Sequence, residues 1–431
     1  MATSAFARLP GFRDFPPEEL ALRSHIQEAW RRVSRRYGFL EYDGPPLEAL
    51  DLYVEKSGAE IAGQLYAFTD KGGREVAMRP EMTPSLARIL GDRSRGMSKP
   101  IRWFAMPQLF RYERQQRGRL REHFQWNADI VGEDDVAADA EVLALAIDGL
   151  RELGLTAADF CARVSDRRLL RVVLLAHGVE EDRLPAAFGI IDKLERMPRD
   201  KARSALLTDV GLGPAETDAL LDFFDTADLA AVEARFGKRD EIGAELERLK
   251  QYVGALTAMG LGEYVEVDLR VVRGLAYYTG IVFELFDRQR DLRAICGGGR
   301  YDRLLELVGG EPLPAVGFGM GDVVLGELLA ERGLVPAYTR TLDYFVIAVS
   351  VEQRGEALRI AHTLRDMGNS VAYTLKEQGV TKQLKTAGKE GAKVVLIVGP
   401  DELARGCVVA RDMVSGSERE IALSELTGEV D

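Results

Sequence analysis

Five arginines and one glutamate fall within the eleven residues Arg111–Arg121, RYERQQRGRLR, and apolar strand-like runs flank this stretch on both sides. The runs, PIRWFAMPQLFRYE and HFQWNADIVG, read as a strand pair, so the cationic segment is their connection. Guanidinium groups grip phosphates and carboxylates with bidentate geometry, and a cluster of them on a hairpin suits a polyphosphate. A solvated charged turn is the alternative for the segment taken alone. The whole chain carries 57 Lys+Arg against 69 Asp+Glu, a formal net charge of -12, which argues against a surface built everywhere to hold nucleic acid. A polyanion must therefore meet a local basic patch.

The pattern along the chain sets the frame for that hairpin. Residues 16–37 carry Leu20, Leu22, Ile26, Trp30 and Val33 near helical spacing behind Pro16-Pro17, which predicts a long amphipathic helix. GFLEYDGPP follows as a short strand stopped by proline. LYAFTDKGGREVAMRPEMT reads as two strands joined through DKGG. From Asp135 the pattern turns helical for more than a hundred residues, and strands return with YVEVDLRVV, YYTGIVFELFD, AICGGGRYD and PAVGFGMG. After LVPAYTRT the order becomes strand, helix, strand, helix, strand, which predicts a small α/β domain with a mostly parallel sheet and a boundary near Arg340. A length of 431 residues accommodates several such domains.

Other groups bear on chemistry. Arg79-Pro80-Glu81-Met82-Thr83 supplies an acid and a hydroxyl at a strand end, and Arg273-Gly274-Leu275-Ala276-Tyr277-Tyr278 supplies an arginine beside two tyrosines. An ammonium, a carboxylate and a polar ring could each find a partner there, the outline of an amino-acid pocket. Adjacent strand residues face opposite sides, so one of Tyr277 and Tyr278 is expected in a core and the other in a pocket. GGGRYD and GFGMG allow close backbone approach, but neither fits a dinucleotide fingerprint, and no P-loop is present. Trp103 and Trp126 are expected in the sheet's buried face. His25, His123, His177 and His362 are scattered, and Cys161, Cys296 and Cys407 form no C-x-x-C pair, so no metal centre or disulfide framework is expected. The cysteine usage, the absence of a secretory segment and the absence of a membrane span point to a reduced, cytoplasmic protein. Lys376, Lys382, Lys385, Lys389 and Lys393 form a basic run that suits either a solvated helix face or an RNA-facing patch.

Taken in order, these segments resemble the histidyl-tRNA synthetase family of class II aminoacyl-tRNA synthetases over essentially the whole chain. LPGFRDFPPEE resembles the family's opening, and the first helix with GFLEYDGPP resembles motif 1, used at a dimer interface. FRYERQQRGRLREHFQWNAD resembles motif 2, VVRGLAYYTGIVFE the histidine signature, and AICGGGRYDRLLELVGG with PAVGFGMG the approach to motif 3. The resemblance implies an α+β catalytic core with an antiparallel sheet, a helical insertion and a C-terminal α/β anticodon-binding domain. The implied division is core over 1–160, helical insertion over 161–255, core again over 256–335, and anticodon-binding domain over 341–431. It implies ATP-dependent ligation of L-histidine to histidine tRNA through a histidyl-adenylate, with Mg2+ carried mainly by the ATP phosphates, and a homodimer.

By the same resemblance, Arg111 and Arg273 clamp the histidine carboxylate and the α-phosphate. Glu81, Thr83 and Gln125 hold the α-amino group, and Asp129, Tyr277 and Tyr278 read the imidazole. Glu113, Arg119, Arg121, Gly319 and Gly321 serve ATP, with Arg119 and Arg121 near the distal phosphates and Glu113 near the adenine. The chain departs from the family pattern at four places. Val324 stands where motif 3 has an arginine, Ala276 where the signature has an aspartate, Asp129 where a glutamate is usual, and His123-Phe124 where Phe-His is usual. Arg300 is the expected substitute for the motif 3 arginine. A second reading is the histidine-binding regulatory subunit of ATP phosphoribosyltransferase, which resembles the core but generally lacks the anticodon-like domain; a third is a tRNA-binding scaffold.

Overall fold

A computed structural model describes residues 7–57, 63–114, 116–226, 229–236, 240–273, 277–289, 292–307 and 309–427. Ala276 lies outside them. The chain divides into two compact units, one through Pro336 and one from Ala337.

The first unit is built on a nine-stranded sheet. Its strands are β1 (Leu40–Glu41), β5 (Ile101–Ala105), β6 (Gln108–Phe110), β7 (Glu122–Val131), β8 (Phe160–Asp166), β9 (Val265–Val267), β10 (Ile281–Asp287), β11 (Cys296–Arg300) and β12 (Ala315–Gly321). The order is β1-β5-β7-β12-β11-β10-β8-β9, with β6 on the lower end of β7. All neighbours are antiparallel except β1 with β5 and β8 with β9. A small sheet of β2 (Leu47–Ala49), β3 (Ala67–Thr69) and β4 (Glu75–Met78) stands beside it, and β3 and β4 form the hairpin turned by DKGG.

Helices cover one face of the main sheet. The helix Pro17–Arg36 starts on a proline, carries Glu18 and Glu19 in its first turn and Arg35 and Arg36 in its last, all favourable to its dipole. It buries Ile26, Ala29, Trp30 and Val33. Trp30 stacks on Trp126 of β7 with centroids 5.9 Å apart, and the Trp126 indole N–H donates to Ser34 Oγ at 3.0 Å. Truncating either ring to alanine would cost about 3–5 kcal/mol. Trp126 is fully buried, whereas Trp103 is only half-buried. The helix Val136–Arg151, capped by Asp135, is apolar nearly all round and lies behind the same sheet.

One strand departs from the sequence reading. The sequence pattern places 161–255 in a helical insertion, yet Phe160–Asp166 form β8, buried at every position between β10 and β9. Cys161–Asp166 therefore belong to the core, and the excursion begins after Asp166, whose carboxylate caps the helix Arg167–Ala176. Arg163 and Asp166 obscured the strand, because charged residues are rarely buried. Here Arg163 is paired with Asp268 and, at 2.5 Å, with Glu195.

The second unit is a five-stranded sheet in the order β14-β13-β15-β16-β17. Its strands are β13 (Leu342–Ala348), β14 (Val371–Tyr373), β15 (Ala392–Val398), β16 (Cys407–Asp412) and β17 (Glu418–Ala422). β14, β13 and β15 are parallel as the strand–helix alternation predicts, but β16 and β17 add an antiparallel hairpin. The sheet is thus mixed rather than mostly parallel. The helices Arg354–Asp366 and Val380–Lys389 pack into separate cores. Lys382, Lys385 and Lys389 stand exposed on the second helix, whose Gln383 and Ala387 are buried.

Candidate active site

The arginine segment is a closed loop. Arg111 N–H donates to the Arg121 carbonyl at its base, and Gln116 bridges Arg119 around a turn at Gly118, which has φ +70°. Below it, odd-numbered residues of β7 share one face of the sheet and even-numbered residues share the other. His123 and Gln125 accordingly line a cavity of about 630 Å³ together with Arg111, Glu113, Arg119, Arg273, Gly319 and Gly321.

Glycines make this arrangement possible. β12 pairs Gly317 with Asp129 and Gly321 with Gln125. A Cβ on Gly317 would lie 1.9 Å from Asp129 Oδ1, and one on Gly319 would lie 2.8 Å from Gln125 Cδ. The glycine run in GFGMG thus leaves the space in which two β7 side chains stand, beyond ordinary sheet packing.

The two principal arginines are held differently. Arg111 Nε donates to the Pro80 carbonyl at 2.9 Å. Burial pulls its pKa down and nearby Glu81 opposes that effect. Arg273 adopts φ 62°, a left-handed conformation costly for a residue with a Cβ, and its guanidinium pairs with Glu284 of β10. Burial opposes its charge, but Tyr278 and Glu284 outweigh that and raise its pKa. His123 is held as a neutral ring: burial, reinforced by Arg111 and Arg13, lowers it to about 3.

Behind the cavity lies a buried polar cluster. Tyr277 hydroxyl donates to Glu81 Oε2 at 3.0 Å, and Tyr301 hydroxyl donates to Asp129 Oδ1 at 2.5 Å. Thr83 opens the helix Thr83–Arg93 and also bonds Tyr277. Burial drives the Asp129 carboxyl up to about 7, with the Tyr301 hydrogen bond opposing. Tyr277 and Tyr278 precede β10 rather than lying on a strand, so strand alternation does not separate them. Their rings pack 5.1 Å apart, and Tyr277 also meets Tyr301.

Of the residues singled out by sequence, Arg111, Glu113, Arg119, Gln125, Arg273, Gly319 and Gly321 line the cavity. Glu81, Thr83, Asp129, Tyr277 and Tyr278 form or adjoin the cluster behind it. Arg121 is turned away from the lining, over the Tyr112 ring at 4.3 Å, with its Nε on the Glu113 carbonyl. Arg119 pairs with Glu113. Arg300 does not replace the motif 3 arginine: it is 1% exposed, and its nitrogens engage Asp139, Asp302 and the carbonyls of Glu133 and Asp135. Phe124 faces away from the cavity, beside Phe15 and Arg23. Asp322 accepts from Phe124 N–H and pairs with Arg13, tying the N-terminal segment to the ends of β7 and β12.

Sequence reasoning left out the lining residues His123, Glu284 and Arg293, and Tyr301 in the cluster behind the cavity. The signal for Glu284 was a charge in the middle of the apolar strand IVFELFD, and Tyr301 stands two residues after the glycine run. Among the described residues, Glu113 and Glu284 are the cavity's acids, and both are paired with arginines. Among the described residues no group of three His, Cys, Asp or Glu is placed to hold a metal ion.

A family model described as Histidyl-tRNA synthetase matches residues 11–321. The chain belongs to the histidyl-tRNA synthetase family. A second model, described as Anticodon binding domain, matches residues 343–431. The histidine–tRNA ligase of Opitutus terrae is 45% identical over 98% of this chain and 96% of its own length. The chloroplastic/mitochondrial histidine–tRNA ligase of Arabidopsis thaliana is 42% identical over 96% of this chain and 85% of its own length. The crystal structure of histidyl-tRNA synthetase from Nostoc sp. PCC 7120 superposes with a TM-score of 0.80 at 24% identity, covering 99% of each chain. A Bacillus halodurans protein described as an ATP phosphoribosyltransferase regulatory subunit/histidyl-tRNA synthetase shares the fold, with a TM-score of 0.74 at 22% identity over 92% of this chain and 98% of its own.

Proposed function

We propose that this protein ligates L-histidine to histidine tRNA at the expense of ATP. The observation that carries the reading is the convergence of Arg111, Arg273 and Gln125 on one cavity, in a chain whose family membership spans both units. A histidine carboxylate oxygen attacks the α-phosphorus of ATP, the bond to the β-phosphate oxygen breaks, and pyrophosphate leaves. The terminal ribose hydroxyl of the tRNA then attacks the histidyl carbonyl, and AMP leaves. Arg111 and Arg273 stabilise the negative charge gathered on the α-phosphoryl oxygens and hold the reactants in line. No protein nucleophile is required. Mg2+ enters as part of the nucleotide substrate, held by its phosphates.

Glu81, Thr83 and Gln125 receive the α-amino group, and Asp129 with Tyr277 and Tyr278 receives the imidazole. A site that pairs ring nitrogens rejects apolar analogues, since a buried polar group left unpaired costs about 1–3 kcal/mol. Glu113, Arg119, Gly319 and Gly321 serve ATP, while Arg121, turned onto Tyr112 and the Glu113 carbonyl, supports the loop that presents them. The C-terminal unit binds the tRNA, and its exposed lysines supply a local cationic face on an acidic chain. The functional unit is a homodimer: Leu40, on the edge strand β1, and Phe68 are 67% and 50% exposed, the kind of apolar surface a second copy covers. The site of action is the cytoplasm; no helix among the described residues is long and apolar enough to cross a membrane.

The regulatory-subunit reading is not favoured, because an anticodon-binding domain matches residues 343–431. Charging of tRNA with labelled histidine tests the proposal. Acid-precipitable histidyl-tRNA that depends on ATP is expected; histidine binding without charging would support the regulatory role instead.

A further inference from the structure

Besides the arginines already placed, two more line the same cavity: Arg196, on the side of Arg273 and Glu284, and Arg293, from the segment between β10 and β11. Arg293 is exposed, and its guanidinium donates to the neutral amide oxygen of Gln116 at 2.5 Å. Among the described residues no carboxylate forms an ion pair with it. This sets it apart from Arg119, which pairs with Glu113, and from Arg273, which pairs with Glu284. A guanidinium whose partner is an uncharged amide can take an anion without breaking an ion pair.

Its location is specific. Gly118, at the tip of the arginine loop, is flanked by two side chains: a Cβ placed there would lie 3.1 Å from Val324 Cγ2 and 3.9 Å from Arg293 Cδ. Val324, in the first turn of the helix Asp322–Glu331, is buried and apolar. The same helix takes up the other groups of the loop tip. Glu327 accepts from Gly118 N–H at 3.2 Å and pairs with Arg117 at 3.3 Å, and Glu331 pairs with Arg117 as well. Arg117 is thereby committed to helix carboxylates. Among the described residues at this corner of the cavity, Arg293 is the cation with no carboxylate paired to it, on the side of Gly118 adjoining Val324.

We propose that Arg293 binds the distal phosphates of ATP, placing at the Gly118 corner the guanidinium that position 324 does not carry. Arg111 and Arg273 are enclosed and Arg293 is exposed. A triphosphate held by its α-phosphate between the enclosed pair extends outward to Arg293. The inference rests on ATP being the substrate of this cavity, and it deepens that reading by assigning a residue to the leaving pyrophosphate.

The test compares ATP and AMP binding to the full-length protein, wild type, Arg293→Ala and Arg293→Lys, alongside the pyrophosphate KM in histidine-dependent exchange. Arg293→Ala should weaken ATP about tenfold or more, raise the pyrophosphate KM in parallel and change AMP affinity less than about twofold, from the loss of one charge-assisted contact. Arg293→Lys, which keeps the charge, should recover part of the ATP affinity. Equal losses for ATP and AMP would mean that Arg293 only supports the loop, and unchanged ATP affinity with impaired tRNA charging would place it at the tRNA end; either result overturns the assignment. If wild-type protein binds no ATP, the underlying functional reading fails instead.

Discussion

The guanidinium of Arg273 occupies the space a side chain on Gly297 would need: a Cβ there would lie 2.3 Å from Arg273 Cζ. Gly297 pairs with Glu284 across β10 and β11, so the missing side chain and the carboxylate together seat one arginine against the sheet. Gly297→Ala should leave the fold intact and displace Arg273. Because removing one preorganised donor at a charged transition state costs about 10²–10³ in rate, histidine-dependent exchange should fall by that order. Thermal unfolding by circular dichroism and steady-state exchange on the same preparation check this, and retained exchange would mean that Arg273 need not lie against β11.

Asp129 provides a pH-dependent signature. Its folded-state pKa of about 7 stands above the ordinary carboxyl value because of burial, so its contribution to stability is full below about pH 4 and is lost as pH rises through about 7. Asp129→Asn removes that dependence. Relative to wild type, the variant should gain up to about 4 kcal/mol of unfolding free energy between pH 4 and pH 8, measured by urea titration. Its histidine KM should rise, and the Asp129-linked inflection near neutrality should vanish from the pH profile. A wild-type stability profile parallel to the variant's would contradict the assignment.

Arg300 separates structure from catalysis. Its pairing with Asp139, with both side chains 1% exposed, joins β11 to the helix Val136–Arg151. Arg300→Ala leaves a buried carboxylate unpaired and should cost about 3–5 kcal/mol of stability. The folded fraction should keep its ATP KM within about twofold, since no phosphate contact is lost. Chemical denaturation and exchange kinetics at low temperature test both halves.

Glu327 anchors the loop tip through Gly118 N–H and Arg117. Glu327→Ala should speed hydrogen exchange of the Gly118 amide and raise the ATP KM several-fold, as an anchored loop becomes mobile. Unchanged protection at Gly118 would show that Val324 and Glu331 hold the loop without it.

The architecture of the first unit was legible where alternation was clean, as in the strands flanking the arginine loop, and in the C-terminal strand–helix order. It failed at β8, where Arg163 and Asp166 are buried only because distant residues pair with or surround them, which local pattern cannot reveal. The hairpin of β16 and β17 went unread because its strands follow the helix alternation that set the expectation of a parallel sheet. Motif order located the site, but its supporting contacts were not legible. Whether Arg300 or Arg293 faces the cavity depends on the path of β11, and the role of Gly297 depends on what lies across it in space.

Histidine-dependent ATP–pyrophosphate exchange by the purified full-length chain bears most directly on the central claim, that this cavity activates histidine. Rapid exchange with histidine, none with other amino acids, and its loss in Arg111→Ala and Arg273→Ala are the predicted results. Histidine binding without any exchange in the wild-type protein would contradict it.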